Sequence, residues 1–128
     1  MMRALVALNA EADAVCALLD GGTLELLSGT PPASPTTAIR AQTRLARLRF
    51  QTPAFQPAQH GSAVAYPLVP DIAAAAGEPT WFRAVRPDGT PVFDGTIGAG
   101  KADLALSSAR LVAGSTVRLA DLTYVATR

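Results

Sequence analysis

At 128 residues the chain fits one domain, a size that buries roughly two thirds of its unfolded surface. Its 11 basic and 10 acidic residues leave a formal net charge of +1, which excludes a strong steering field and the basic excess of a nucleic-acid binder. A single cysteine excludes an internal disulfide and a four-cysteine zinc site, and fits an intracellular or cytosolically assembled protein.

The N-terminal stretch MMRALVALNAEADAVCALL carries an early arginine among apolar residues, but Asn9, Glu11 and Asp13 interrupt the apolar region and argue against a signal peptide. No apolar run reaches the roughly 18–20 residues of a membrane-spanning helix. Within Arg3–Leu19, Leu5, Leu8, Ala12, Val15 and Leu19 recur at spacings of three and four and predict an amphipathic helix. Asp20-Gly21-Gly22 ends it. Its apolar stripe is expected to pack on its own domain, and Cys16 to be a small buried hydrophobe. Residues 1–20 therefore form a helix on or beside a domain spanning residues 21–128.

From Thr23 the period changes to two. Thr23–Leu27 is a short strand, Ser28–Ala38 (SGTPPASPTTA) a proline-rich loop, and Thr43–Gln51 an arginine-rich strand. In the last, Ala46, Leu48 and Phe50 share one face while Arg47 and Arg49 point the other way. A turn-like segment follows from Pro53 to Gly61, with Phe55 as its anchor, then an alternating strand over Ser62–Leu68. Asp71–Ala76 reads as one helical turn or an ordered loop. Thr80–Gly95, TWFRAVRPDGTPVFDG, is a β-hairpin: aromatic and β-branched residues flank Pro87-Asp88-Gly89, in which proline presets one turn dihedral and glycine supplies another. Strands are also expected at Asp103–Leu106 and Thr116–Thr127, with a turn at Gly114-Ser115. Seven or eight short strands separated by turns predict a mainly β fold, a single β-sandwich or jelly-roll-like domain with one N-terminal helix.

Little in the chain resembles chemistry. Gly95–Ala102 (GTIGAGKA) matches a phosphate-binding loop at both glycines and Lys101, but Ala102 replaces the metal-binding hydroxyl and a strand follows where a helix is required. His60, the only histidine, sits in a turn without triad or metal partners, and no catalytic residue or cofactor is assigned. Asp88, Asp94 and Asp103 could gather around Ca²⁺, though hairpin aspartates ordinarily serve turns. A hydrophobic content of 49% with only 16% charge leaves two alternatives, a face that meets a partner or an alanine-rich bias without one. The candidate interface residues are Pro31, Pro32 and Pro35 of the loop, Arg47 and Arg49 of the arginine strand, and Trp81 and Phe82. Trp81 and Phe82 alternate across their strand, so one is expected in the core and the other on the opposite face, where exposure would make it an interface anchor.

The segments GGTLELLSGTPPASP, LARLRFQTPAF, TWFRAVRPDGTPVFDGTIG, ADLALSS and LVAGSTVRLADLTYVAT, in that order, resemble a family of small virion structural proteins of tailed bacteriophages and prophages. The resemblance runs from about Gly21 to Thr127 and implies a non-enzymatic virion component. The preferred assignment is a head decoration (cement) protein on the outer surface of the capsid, assembled in the host cytoplasm. Its partners would be the major capsid protein and further copies of itself, a trimer being favoured, with neither nucleic acid nor membrane. A neck, tail or fibre-associated subunit is the alternative within the virion. A carbohydrate-binding β-sandwich module, stacking sugars on Trp81, Phe82 or Tyr124, is the alternative of another class.

Overall fold

The computed structural model describes residues 4–97, 104–106 and 110–126. Among these described residues one helix, α1 (Leu5–Ala17), precedes nine strands: β1 (Thr23–Leu27), β2 (Arg44–Arg49), β3 (Ser62–Val64), β4 (Asp71–Ile72), β5 (Trp81–Val85), β6 (Pro91–Thr96), β7 (Leu104–Leu106), β8 (Thr116–Val117) and β9 (Leu119–Val125). The fold is mainly β and its sheets are small, open and antiparallel. They comprise a four-stranded sheet in the order β2-β1-β5-β6, a three-stranded sheet β3-β9-β7 and a ribbon β4-β8.

The alternation read from the sequence sets the inner face of the four-stranded sheet. Leu24 opposes Leu48 and Ala84, Leu26 opposes Ala46 and Phe82, and Ala84 opposes Phe93. These residues form one core with Ala63 of β3, Val117 of β8 and Leu122 of β9. Phe93 on the first sheet meets Tyr124 on the second with ring centroids 5.3 Å apart, and Phe82 meets Phe93 edge-on at 6.2 Å. Each large side chain so buried contributes roughly 1.5–3 kcal/mol.

The hairpin forms as the sequence predicts. Its turn closes through hydrogen bonds from the Gly89 N–H to the Arg86 carbonyl and from the Arg86 N–H to the Thr90 carbonyl, both 2.9 Å. Gly89 adopts φ +90°, a conformation that side chains resist. Two other segments differ from expectation. The strand beginning at Ser62 ends at Val64. Asp71–Ile72, expected in a helical turn or loop, is the strand β4 paired with β8. Asp71 disfavours a strand and two residues carry no readable alternation, so here pairing with β8 decides the conformation.

On α1, Leu8, Ala12 and Cys16 are buried, as is Leu19 beyond its end, whereas Leu5 is exposed and Val15 only half-buried. The stripe is thus rotated from the predicted one towards Cys16. The helix lies on its own domain, packed against β3 and β9. Asn9 and Asp13, which the sequence presented as interruptions of an apolar run, and Asp20 of the helix stop fasten it to the segment after β2. Their side-chain oxygens accept the N–H groups of Gly61, Ala58 and Ala54, each at 2.8 Å.

Between helix and sheet, Gly22 is held by a close approach. A Cβ there would lie 2.2 Å from the Val85 carbonyl oxygen and 3.0 Å from that of Leu19, both rigid backbone atoms. Gly22→Ala is expected to cost about 1–3 kcal/mol, the scale of overpacking. A urea midpoint within error of the parent would show that the helix and β5 do not meet as tightly as described.

Candidate functional site

The outer face of the four-stranded sheet carries the most concentrated polar arrangement described. Register places Arg47, Glu25, Arg83 and Asp94 side by side on β2, β1, β5 and β6, a row of alternating charge across the whole sheet. Opposite charges directly across strands attract. Two members are buried, Glu25 at 6% and Arg83 at 3% exposure. Glu25 Oε2 lies 2.9 Å from Arg44 Nε and 3.3 Å from Arg47 Nε. Arg83 donates from Nε and Nη2 to the two carboxylate oxygens of Asp94, at 2.7 and 3.0 Å, a bidentate fork. Its remaining donors reach the proline-rich loop: Nη1 to the Thr37 carbonyl at 2.8 Å and Nη2 to the Ser34 carbonyl at 3.3 Å.

That loop covers half of the outer face. Trp81 Nε1 donates to the Ser28 carbonyl at 3.2 Å, Thr80 Oγ1 to the Gly29 carbonyl at 2.6 Å, and the Arg83 guanidinium stands 5.4 Å above the Trp81 ring. Trp81 (0% exposed) and Phe82 (2%) are consequently both buried, on opposite faces of β5. The two occupy opposite faces as expected, but the outward one is covered and neither is exposed as an interface anchor. The sheet is covered on both sides, once by the core and once by the chain's own loop. The loop is folded back rather than projecting. Pro31 is exposed, while Pro32 and Pro35 are half-buried. Arg47 and Arg49 are exposed on the outer face, as their alternation requires.

Beside the loop, the uncovered half of the face forms an open groove of about 520 Å³. Glu25 and Arg83 lie at its floor, Arg44 and Arg47 on one side, and Val85 to Pro87 with Pro91 on the other. Arg86 is exposed, and its charge acts on the neighbouring Asp88 carboxylate. None of the lining residues is aromatic.

The other sequence candidates are dispersed. Asp94 is taken up by Arg83, whereas Asp88 accepts the Thr90 N–H at 2.9 Å, a bond that holds its carboxyl below the ordinary value. Asp103 and Lys101 lie outside the described residues, as does most of the GTIGAGKA stretch. His60 is exposed in a tight turn at φ 54°, closed by reciprocal Gln59–Ser62 backbone bonds. Among the described residues no group of three His, Cys, Asp or Glu side chains could hold a metal ion, and no helix is long and apolar enough to cross a membrane. Compared with protein-family models, curated proteins and solved structures, the chain matches none.

Cys16 is 3% exposed, and burial, helped by the nearby Asp13 and Asp20 carboxylates, pushes its thiol from 9.0 up to about 12. The native state thus favours the neutral thiol. Its contribution to stability is intact below the unfolded value of 9.0 and is lost as pH rises towards about 12. Urea unfolding of the parent and Cys16→Ala across that window should show the parent losing more stability; parallel curves would refute the burial argument.

Removing one partner of a buried ion pair strands the other. Asp94→Ala is expected to cost about 3–5 kcal/mol and to speed hydrogen exchange at Thr37, whose N–H bonds the Ser34 carbonyl within the anchored loop. Arg83→Met combined with Asp94→Ala should recover part of the stability and leave exchange fast, since the loop carbonyls still lack their donor. Unchanged exchange in both variants would mean that Arg83 does not hold the loop.

Proposed function

We propose that this chain is a non-enzymatic virion structural protein of a tailed bacteriophage, a capsid decoration protein that stabilises the head by bridging neighbouring capsomers. In this reading the sheets form a sandwich or jelly-roll-like body that works as a homo-oligomer, with a trimer favoured. The virion assignment rests on the resemblance of Gly21 to Thr127, and the observation that carries the contact role is the outer sheet face. Its buried charges fasten a loop in place, and its exposed arginines are left on a rigid, half-covered surface. A bridging subunit needs such a surface, because contacts on regular elements are held more precisely than contacts on loops. Pro31, Arg47 and Arg49 remain as candidate contact residues.

The carbohydrate-binding alternative called for exposed aromatic rings. Trp81 and Phe82 are enclosed, and Tyr124 is partly buried against Phe93. The neck or tail alternative differs from the decoration role in number rather than in chemistry. Quantitative mass spectrometry of purified particles, referenced to the major shell protein, separates the two. On the order of hundreds of copies is expected for decoration, since icosahedral symmetry multiplies each site. About a dozen or fewer would move the protein to the neck or tail, and its absence from particles would overturn the virion reading.

A further inference from the structure

We propose that Asp88-Gly89, at the tip of the β5–β6 hairpin, is a site of spontaneous backbone modification. The Gly89 nitrogen closes a succinimide ring on the Asp88 side chain, and the ring reopens as a β-linked isoaspartate. The inference is independent of the virion assignment.

The chemistry needs only the two residues and water. The Gly89 nitrogen attacks the Asp88 side-chain carboxyl carbon and forms a five-membered ring. The proton of that nitrogen and the carboxyl hydroxyl leave together as water. Water then adds to one of the two ring carbonyls. Attack at the former side-chain carbonyl restores aspartate. Attack at the main-chain carbonyl breaks its bond to nitrogen, leaving it as a free carboxylate while the chain runs through the β-carbon. One water is released and one consumed, so the product is an isomer. Glycine in the second position favours closure, because it has no side chain to hinder its nitrogen and tolerates the dihedrals required.

Aspartate precedes glycine three times in this chain, and the fold sets the three pairs apart. Asp20 is half-buried, and its Oδ1 accepts the Ala54 N–H at 2.8 Å, 34 residues away. The Gly21 N–H beside it donates to the Gln51 carbonyl at 3.2 Å. Asp94 is gripped by Nε and Nη2 of Arg83 at 2.7 and 3.0 Å, and Gly95 lies opposite Phe82 in the ladder. Freeing either pair means parting the helix end from the segment after β2, or β6 from β5.

Asp88 and Gly89 are exposed, and a Cβ on Gly89 would meet nothing within 4 Å. Their hydrogen bonds stay within the turn. The Gly89 N–H donates to the Arg86 carbonyl and the Thr90 N–H to Asp88 Oδ1, both at 2.9 Å. Exposed turns open at little cost in free energy, and this one frays without parting the strands. While it is closed, the Thr90 bond favours the ionised carboxyl, a poor source of the departing hydroxyl. The reaction is therefore slow and proceeds from the frayed turn.

Its consequence falls on the contact face. The isoaspartate lengthens the backbone of the tip by one atom, so the closing bonds of Arg86, Gly89 and Thr90 cannot all be kept. Arg86, Pro87 and Gly89 line the outer groove, and its rim is reshaped.

The test holds the full chain for weeks at physiological temperature and neutral pH in water enriched in heavy oxygen. Electron-transfer fragmentation locates isoaspartate, and heavy-oxygen uptake reports ring opening. Isoaspartate at Asp88 is expected to exceed that at Asp20 or Asp94 about tenfold or more, because parting two elements is rarer than fraying of a turn. In denaturant the three pairs should react at similar rates. Asp88→Glu, whose longer side chain would need a six-membered ring, should remove the signal from the hairpin tip. Equal amounts at all three pairs in the native chain, or none at Asp88 while the unfolded chain forms it, would overturn the proposal. So would the same preference for Asp88 in denaturant, since the fold would then not be the selector.

Discussion

The buried guanidinium of Arg83 is the constraint on which the outer half of the structure depends. A cation removed from water carries a desolvation cost of several kcal/mol, and it is retained only where its donors are satisfied. Arg83 meets that demand with groups from three separate parts of the chain. The Asp94 carboxylate comes from β6, the Ser34 and Thr37 carbonyls from the loop, and the Trp81 face from its own strand. Each partner is thereby placed. A proline-rich loop with few internal hydrogen bonds has little reason to settle on a sheet, and two backbone carbonyls bound by a fixed guanidinium supply one.

The same row also guards register. Side chains alternate with a period of two, so a slip of one residue in β1 or β5 would turn Glu25 or Arg83 into the leucine and phenylalanine core and bring Leu24 or Phe82 outward. Hydrophobic alternation alone specifies which face is buried. It discriminates poorly here, because Trp81 and Leu27 make the outer face apolar as well. The alternating charges of Arg47, Glu25, Arg83 and Asp94 restore the distinction, since the observed pairing sets each acid beside a base. They add little net stability, because the cost of desolvation offsets much of the Coulombic gain of a buried pair.

What could be read from the sequence follows the same physics. The hairpin, β1, the arginine strand with its outward Arg47 and Arg49, and the helix stop at Asp20-Gly21-Gly22 each depend on local signals: period, turn chemistry, glycine. Those signals suffice when neighbours agree with them. The burial of both Trp81 and Phe82 was not legible, because the loop that covers one of them lies some 50 residues earlier, as the Trp81–Ser28 bond shows. Arg83, directly after them, reads as a solvated residue unless its distant partners are known. Asp71–Ile72 forms a strand only through β8, another long-range pairing. Asn9, Asp13 and Asp20 did carry a signal, polar side chains bordering the helix's buried stripe, but it names no recipient; Gly61, Ala58 and Ala54 become recipients only once the intervening chain has folded back.

A chain with 16% charged residues has few charges to spare, and this one commits many of its acids to its own backbone and arginines. Asp13, Asp20, Asp71 and Asp88 bind N–H groups, while Glu25 and Asp94 bind guanidinia. A carboxylate that accepts a neutral N–H group keeps its charge and so still offsets the arginines around it, as Asp88 does for Arg86. Near-neutrality of the whole chain is therefore repeated locally, acid beside base, across the outer sheet face. At physiological ionic strength that surface acts over about 8 Å and no farther. It suits a partner already brought close by other contacts, as on an assembled surface, better than one captured from a distance by long-range attraction.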